Sequence, residues 1–474
     1  MRTGIARDAD DVRGVAMTAI EEPGSRQLAG SKWLSGIYAP LREEVTATEL
    51  EVEGELPVEL EGRYLRNGPN PIDDVDPATY HWFTGDGMVH GVRLRGGKAE
   101  WYRNRWVRST HVSEVLGEAP RPGNRHGGFD GPNTNVIGIG GRTFAIVEAG
   151  ARPAELSYEL DTIEHSDLGG TLPNGYTAHP KVDPVTGDLH AIVYHWAIPN
   201  LQYVVIGPDA RVKQVETVEV DGGPMVHDCS ITERWMVVYD LPVVFDLEAA
   251  MTGTGFPYGW QEDRPARLGL VPLGGRGADV RWFEIDPCYI FHPMNAYDDG
   301  DKVVIDVSRH PKMFDHSKLG PDEGPPTLWR YTLDLTTGGA SGTQLSDIAV
   351  EFPRVDERVV GRRHRFGYGT EVGQVESSNR FGGGLVRYDA ERGTVDLVDL
   401  GEGRDSGEWV MVPRTAGAAE DDGWLMALVS DAPSGRSELV LHDAADPAAG
   451  PIARVHLPVR VPAGFHGNWV PDAT

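Results

Sequence analysis

Residues 183–207 read DPVTGDLHAIVYHWAIPNLQYVVIG. Two runs rich in β-branched and aromatic residues, HAIVYHWAI and QYVVIG, follow a turn that opens on Asp183 and closes on Gly187. Asp starts such a turn by accepting hydrogen bonds from nearby backbone N–H groups, and Gly supplies the positive φ. The pattern returns at Asp334-Leu-Thr-Thr-Gly338 and at Asp389-Ala-Glu-Arg-Gly393, each time between two strand-like runs. Repeated hairpins of this kind predict an all-β chain, best arranged as a β-propeller of successive four-stranded sheets. The repeat is too degenerate to count blades, and an array of sandwiches fits the same pattern.

The rest of the chain agrees. WMVVYDL (235–241), KVVIDVS (302–308), TLWRYTLDL (327–335) and GWLMALV (423–429) are short, β-rich and bounded by turn residues. Segments with a helical period are nearly absent, and short helices are expected only in parts of 42–60, 112–117 and 246–252. No linker-like tract follows residue 35, so 32–474 reads as one domain behind an N-terminal extension, residues 1–31.

Composition narrows the function. The 474 residues carry 72 acidic against 44 basic side chains, a formal charge of -28. That balance argues against nucleic acid and against electrostatic binding to anionic lipid. Two cysteines, Cys229 and Cys288, are too few for a disulfide framework. No apolar run is long enough to span a bilayer, and the first thirty residues lack the apolar core of a secretory signal. A cytoplasmic protein is expected.

Four histidines stand in short apolar, turn-bounded contexts: GYTAHPKVDP (His179), GPMVHDCSIT (His227), YIFHPMNAYD (His292) and AGFHGNWV (His466). Their spacing matches no local metal motif, where ligands lie close in sequence. A propeller would bring them together, because the inner strand of each blade starts at the central axis. Spacing alone does not select these four from the sixteen histidines present. Cys229, two residues after His227, is a further possible ligand, although a small buried hydrophobe is the commoner role.

The flanking motifs do select them. The chain resembles the carotenoid cleavage oxygenase family, which includes lignostilbene-cleaving dioxygenases, from about Leu34 to Trp469. The resemblance runs through LEGRYLRNGPNP (60–71), HWFTGDGMVHG (81–91), NTNV (133–136), the four histidine contexts, EFPRVD (351–356), RFGYG (365–369), VPR (412–414), EDDGWLM (420–426) and GFHGNW (464–469). It implies a seven-bladed β-propeller with a cap of loops and short helices over the metal-bearing face. It implies one Fe(II) per chain held by His179, His227, His292 and His466, with Glu148, Glu351 and Glu408 behind them. Outer carboxylates orient ligating imidazoles and offset the charge of a cation that has only neutral ligands.

The implied reaction is cleavage of a conjugated C=C bond by O2 to two carbonyl products. The alkene supplies all four electrons, so no NAD, flavin or haem is expected. In keeping with this, IGIGGRTFA (137–145) leads into a strand rather than a helix and fails the dinucleotide test. Zinc accepts imidazoles too but is redox-inert, so a zinc-bearing or metal-free propeller for binding or hydrolysis remains the reading from another class.

The resemblance implies an apolar small-molecule substrate, a polyene or a stilbene. Trp82, Phe83, Trp106, Arg142, Tyr176, Phe291 and Trp469 are the candidate lining residues of its tunnel. Stilbene-cleaving relatives grip a phenol with Tyr and Lys, and the matching positions here are Trp106 and Arg142. Trp106 has no hydroxyl, which favours carotenoids or apocarotenoids. FPYGW (256–260) is the modest apolar surface patch expected, so membrane association should be weak or absent. Oligomeric state is not legible.

Overall fold

The computed structural model describes residues 31–252, 256–375 and 378–472. The extension expected at residues 1–31 lies, apart from Ser31, outside the described residues. Among these, seven antiparallel sheets follow one another around an axis. Blade 1 holds Gly62–Pro69, Gly87–Arg95 and Lys98–Trp106. Blade 2 runs from Asn135–Ile139 to Thr162–His165, blade 3 from Lys181–Val182 to Val212–Val218, and blade 4 from Cys229–Ile231 to Arg281–Ile285.

Blades 5 and 6 share one long strand. Ala340–Arg354 pairs with Thr327–Asp334 through its first part, then with Phe366–Val375 from Val350 onward. Residues 340–349 thus form the outer strand of blade 5, whose inner strand is Pro293–Asp299, and 350–354 the inner strand of blade 6. Blade 7 holds Val410–Pro413, Gly423–Asp431, Arg436–Asp443 and Pro451–His456.

The ring closes through the last strand. Gly467–Pro471 pairs with Gly62–Pro69, placing Trp469 opposite Tyr64 and Asn468 opposite Leu65. On the outside, Thr46–Ala47 joins blade 1 and Val52–Gly54 joins blade 7, so the same seam is stitched twice. No helix forms over 42–60. The Asn104 side chain takes this segment instead, accepting from the Val45 N–H (2.6 Å) and donating to the Glu43 carbonyl (2.9 Å), and holds it extended.

The three Asp-to-Gly turns form as the chemistry requires. Gly187, Gly338 and Gly393 have φ of 71°, 77° and 65° and donate to the carbonyls of Asp183, Asp334 and Asp389. They lie where inner strands end, away from the histidines. Longer connections gather at the opposite face, where inner strands begin, and form a cap. It includes the helices Thr110–Val115 and Leu247–Thr252, close to the two short helices expected. Ser109 caps the first by accepting from the Val112 N–H at 3.1 Å. Trp33 stacks on Trp82 (4.9 Å, 5°) and donates to the Leu319 carbonyl, docking residues 32–38 onto the cap. No described helix is long and apolar enough to cross a membrane.

Closure by a strand some 400 residues away from its partner gives a direct test. Removing residues 468–474 leaves the inner edge of blade 1 unpaired while keeping His466. Each lost backbone bond costs about 1 kcal/mol and an open edge invites aggregation. A thermal melt should show a loss of several kcal/mol and aggregation; wild-type melting would contradict this account of closure.

Candidate metal centre

Inner strands deliver the histidines to the axis. His227 precedes Cys229–Ile231 of blade 4 by two residues, His179 precedes Lys181–Val182 of blade 3 by two, and His292 and His466 directly precede the inner strands of blades 5 and 1. All four are buried or nearly so, and one nitrogen from each lies within 4.8 Å of the others. The other three blades supply non-histidine groups at the corresponding place. Thr134 stands at the start of blade 2, Glu351 in the inner strand of blade 6 and Glu408 just before that of blade 7.

Three rings are held from behind. His227 Nδ1 donates to Glu148 Oε2 (2.9 Å), His292 Nδ1 to Glu351 Oε2 (2.5 Å) and His466 Nδ1 to Glu408 Oε1 (3.0 Å). A proton on each Nδ1 leaves a lone pair on each Nε2. His227 Nε2 and His292 Nε2 face each other at 3.2 Å, and His179 Nε2 is buried with no hydrogen-bond partner. Converging lone pairs with no donor among them fit a bound cation. The donor set, four neutral nitrogens with carboxylates one bond removed, fits one Fe(II) ion.

Each glutamate has a further donor. Tyr194 Oη donates to Glu148 (2.7 Å), His310 Nε2 to Glu351 Oε1 (2.7 Å), and Arg354 Nη1 to Glu408 Oε2 (3.0 Å). Sequence reasoning missed all three. Arg354 sits inside EFPRVD and was within reach of the motif; His310 and Tyr194 carry no local signal. His179 differs from its neighbours. Its Nδ1 lies 3.9 Å from Asp228, whose carboxylate is taken by Lys181 at 2.9 Å and the Cys229 N–H.

Burial pushes the His179 imidazole well below its ordinary pKa, and pushes His292 down to about 3 despite Glu351. These rings stay neutral and ready to ligate. Burial also opposes charge on His227, but the neighbouring Glu148 carboxylate prevails and raises it. Cys229 is buried, its thiol pushed up to about 12 by desolvation, and lies outside the histidine cluster.

Over the ring, on the cap side, lies a cavity of about 260 Å³. Trp82, Phe83, Phe256, Phe291, Phe352 and Phe465 form much of its wall, with His227, His292 and His466 at its floor. Of the seven expected lining residues, Trp82, Phe83 and Phe291 lie here. Trp106 does not: it is buried against Met88 and Val112 and donates from Nε1 to the Asn70 carbonyl. Arg142 begins the second strand of blade 2, opposite Ile139, and pairs with Glu155 away from the axis. Tyr176 packs in the core of blades 2 and 3, and Trp469 faces a different, axial cavity. FPYGW is no surface patch, because Phe256 and Tyr258 are buried and line the apolar cavity.

A ring of four imidazoles with no carboxylate in contact, at the axis of a seven-bladed propeller and under an apolar cavity, defines a non-haem oxygenase centre. Comparison with known proteins agrees. The family profile described as Retinal pigment epithelial membrane protein matches residues 38–471. A carotenoid cleavage oxygenase of Mycobacterium tuberculosis is 45% identical, over 93% of this chain and 97% of the relative. Carotenoid 9,10(9',10')-cleavage dioxygenase 1 of Arabidopsis thaliana is 33% identical, covering 93% and 90%. The crystal structure of Pseudomonas brassicacearum lignostilbene dioxygenase superposes with a TM-score of 0.84 at 30% identity, covering 93% and 99%. The chain belongs to the carotenoid cleavage oxygenase family.

Two predictions concern the groups behind the ligands. Glu351→Gln should weaken iron binding about 10–100-fold, the usual effect of losing such a partner, read by competition with a chelator; unchanged affinity would contradict the role. The second concerns acid. Burial alone would raise the Glu408 carboxyl, but Arg354, His466 and the Gly467 N–H bring it from 4.5 to about 2. A depressed carboxyl contributes stability that is full above its unfolded pKa and lost as pH falls through the folded one. That window runs from about 4.5 down to 2. Arg354→Met should raise this carboxyl and move acid unfolding to higher pH; an unchanged acid midpoint would contradict the assignment.

Proposed function

We propose that this protein is an Fe(II)-dependent dioxygenase that cleaves a conjugated C=C bond of a carotenoid or apocarotenoid with O2, giving two carbonyl products. The observation that carries the reading is the apolar cavity lying over the four-histidine ring, with three of its imidazoles at the floor. In it His179, His227, His292 and His466 are the metal ligands, Glu148, Glu351 and Glu408 orient three of them, and Trp82, Phe83 and Phe291 belong to the substrate tunnel.

Bound Fe(II) supplies the activation of O2, with ligand positions left open by only four protein donors. The chain does the rest. Nδ1–carboxylate bonds keep three Nε2 lone pairs aimed at one point. The aromatic wall excludes water and holds a rigid polyene with one double bond over the ring, the positioning that accounts for most of what a site can contribute when the cofactor carries the chemistry. No side chain is assigned as acid or base. At the cavity Glu148 is committed to His227 and Tyr194, and Glu351 to His292 and His310. Cleavage adds both oxygen atoms of O2 across the broken bond, so proton and electron donors are not needed.

Phenolic stilbenes are the second reading, favoured by the likeness to a lignostilbene dioxygenase. Against it, no Lys or Arg is among the described residues lining the cavity, and Arg142 and Trp106 lie elsewhere. Zinc binding without oxidation is the third. Aerobic incubation of the iron-loaded protein with carotenoids, apocarotenals and hydroxystilbenes, read by product mass, separates these. Aldehydes or ketones from polyenes are expected, and His292→Ala should lose both iron and cleavage. Products from stilbenes alone would overturn the substrate class; retained iron and cleavage in His292→Ala would overturn the ligand set.

The reading includes a cytoplasmic location, which suits two buried, unpaired cysteines. It also includes weak or no membrane association. Among the described residues, Phe129 and Trp196 are exposed at the cavity, and Leu247 and Met251 on the short helix after Phe245. Cosedimentation of most of the protein with neutral liposomes would contradict this.

A further inference from the structure

The histidine ring has two sides, and a second cavity meets it from below. About 410 Å³ in volume, it follows the propeller axis away from the cap and reaches the surface past the exposed Val182, Pro184 and Glu357. Both cavities touch His292 and His466. His227 borders the apolar one, His179 only the axial one.

The walls have opposite chemistry. The upper cavity is faced by aromatic rings. The axial cavity is faced by Asn135, Asp228, Ser230, Asn295, Glu408 and Asn468 among others. Its cations are already neutralised: Lys181 by Asp228, Arg354 by Glu408 and Glu357, Arg358 by Asp356. A divalent ion sheds its water only where other oxygens or nitrogens replace it, and an apolar passage offers none. Amide and carboxylate oxygens in the axial cavity offer that exchange; phenyl rings do not.

At the inner end of this passage stands His179. Its Nε2 is buried without a partner, and its Nδ1 alone of the four lacks a bonded carboxylate. Its ring is the least tethered of the set and the one presented solely to the axial side.

We propose that the axial cavity is the port by which hydrated Fe(II) enters and leaves the four-histidine site, with His179 the first ligand the ion meets, while the apolar cavity serves the organic substrate alone. The proposal rests on the metal reading of the ring given above. Two solvent-side residues narrow the port without touching the site: Val182, at the start of the passage, and Ile137, in the inner strand of blade 2. Thr84, exposed and lining only the upper cavity, gives the control.

The experiment measures iron leaving the holoenzyme into excess hydrophilic chelator, and Fe(II) re-entering the stripped protein without oxygen. Val182→Trp and Ile137→Trp should each hold about one iron per chain and melt like wild type. Iron exchange should slow about tenfold or more in at least one of them, with the cleavage kinetics of the loaded enzyme unchanged. Thr84→Trp should raise KM for the polyene and leave iron exchange alone. Wild-type exchange in both port variants, or slowed exchange in Thr84→Trp, overturns the port while leaving the function intact. A wild-type protein that binds no iron overturns both.

Discussion

Four imidazole lone pairs aimed at one point repel each other, and everything else at the axis answers that constraint. His227 and His292 bring two Nε2 atoms to 3.2 Å. Such an arrangement suits a cation at its centre, with a proton fixed on the far side of three of the four rings. The fixing is done by carboxylates buried among apolar groups, which are costly unless fully bonded. Glu351 shows how this is met: it accepts from His292, from His310 and from the Phe352 N–H. Opposed by burial, these bonds still hold its carboxyl well below the ordinary range.

A propeller suits this demand because it makes equivalent positions out of distant sequence. The first residue of an inner strand points at the axis whatever the blade. Seven blades give seven such places, and the chain spends four on imidazoles and two on Glu351 and Glu408, which orient His292 and His466. The closing strand is part of the same device. His466 reaches the ring only because Gly467–Pro471 returns to pair with the start of blade 1.

This explains what could be read from the sequence. The hairpin turns are local, so Asp183 to Gly187 and its two counterparts announced themselves and formed. The metal residues lie in segments with distinctive neighbours, and family motifs pick them out. Blade number was hidden because Ala340–Arg354 serves two blades without a break. Trp106 and Arg142 misled for a geometric reason: linear distance from a motif does not tell inner strand from outer, or cap end from far end. Residues 42–60 misled because distant partners hold them: Asn104 takes Glu43 and Val45, and the outer strand of blade 7 pairs with Val52–Gly54. Tyr194 and His310 were invisible because a single polar residue in a strand shows its partner only after folding.

The three donors behind the glutamates are chemically unlike: a neutral phenol, an imidazole and a guanidinium. The ring they support therefore cannot be electrostatically symmetric. Behind His227 the Glu148 carboxylate, which also accepts from Tyr194, outweighs burial and raises the imidazole's pKa, whereas at His292 burial outweighs Glu351 and lowers it. His227 borders the apolar cavity, and His179, without a bonded carboxylate, borders the polar one. A carboxylate-backed ligand, His227, thus faces the substrate side alone, and the ligand with no bonded carboxylate, His179, faces the solvent side alone. One ring of identical side chains is divided in this way by what stands behind each, so that a site with four like ligands has a front for chemistry and a back for exchange.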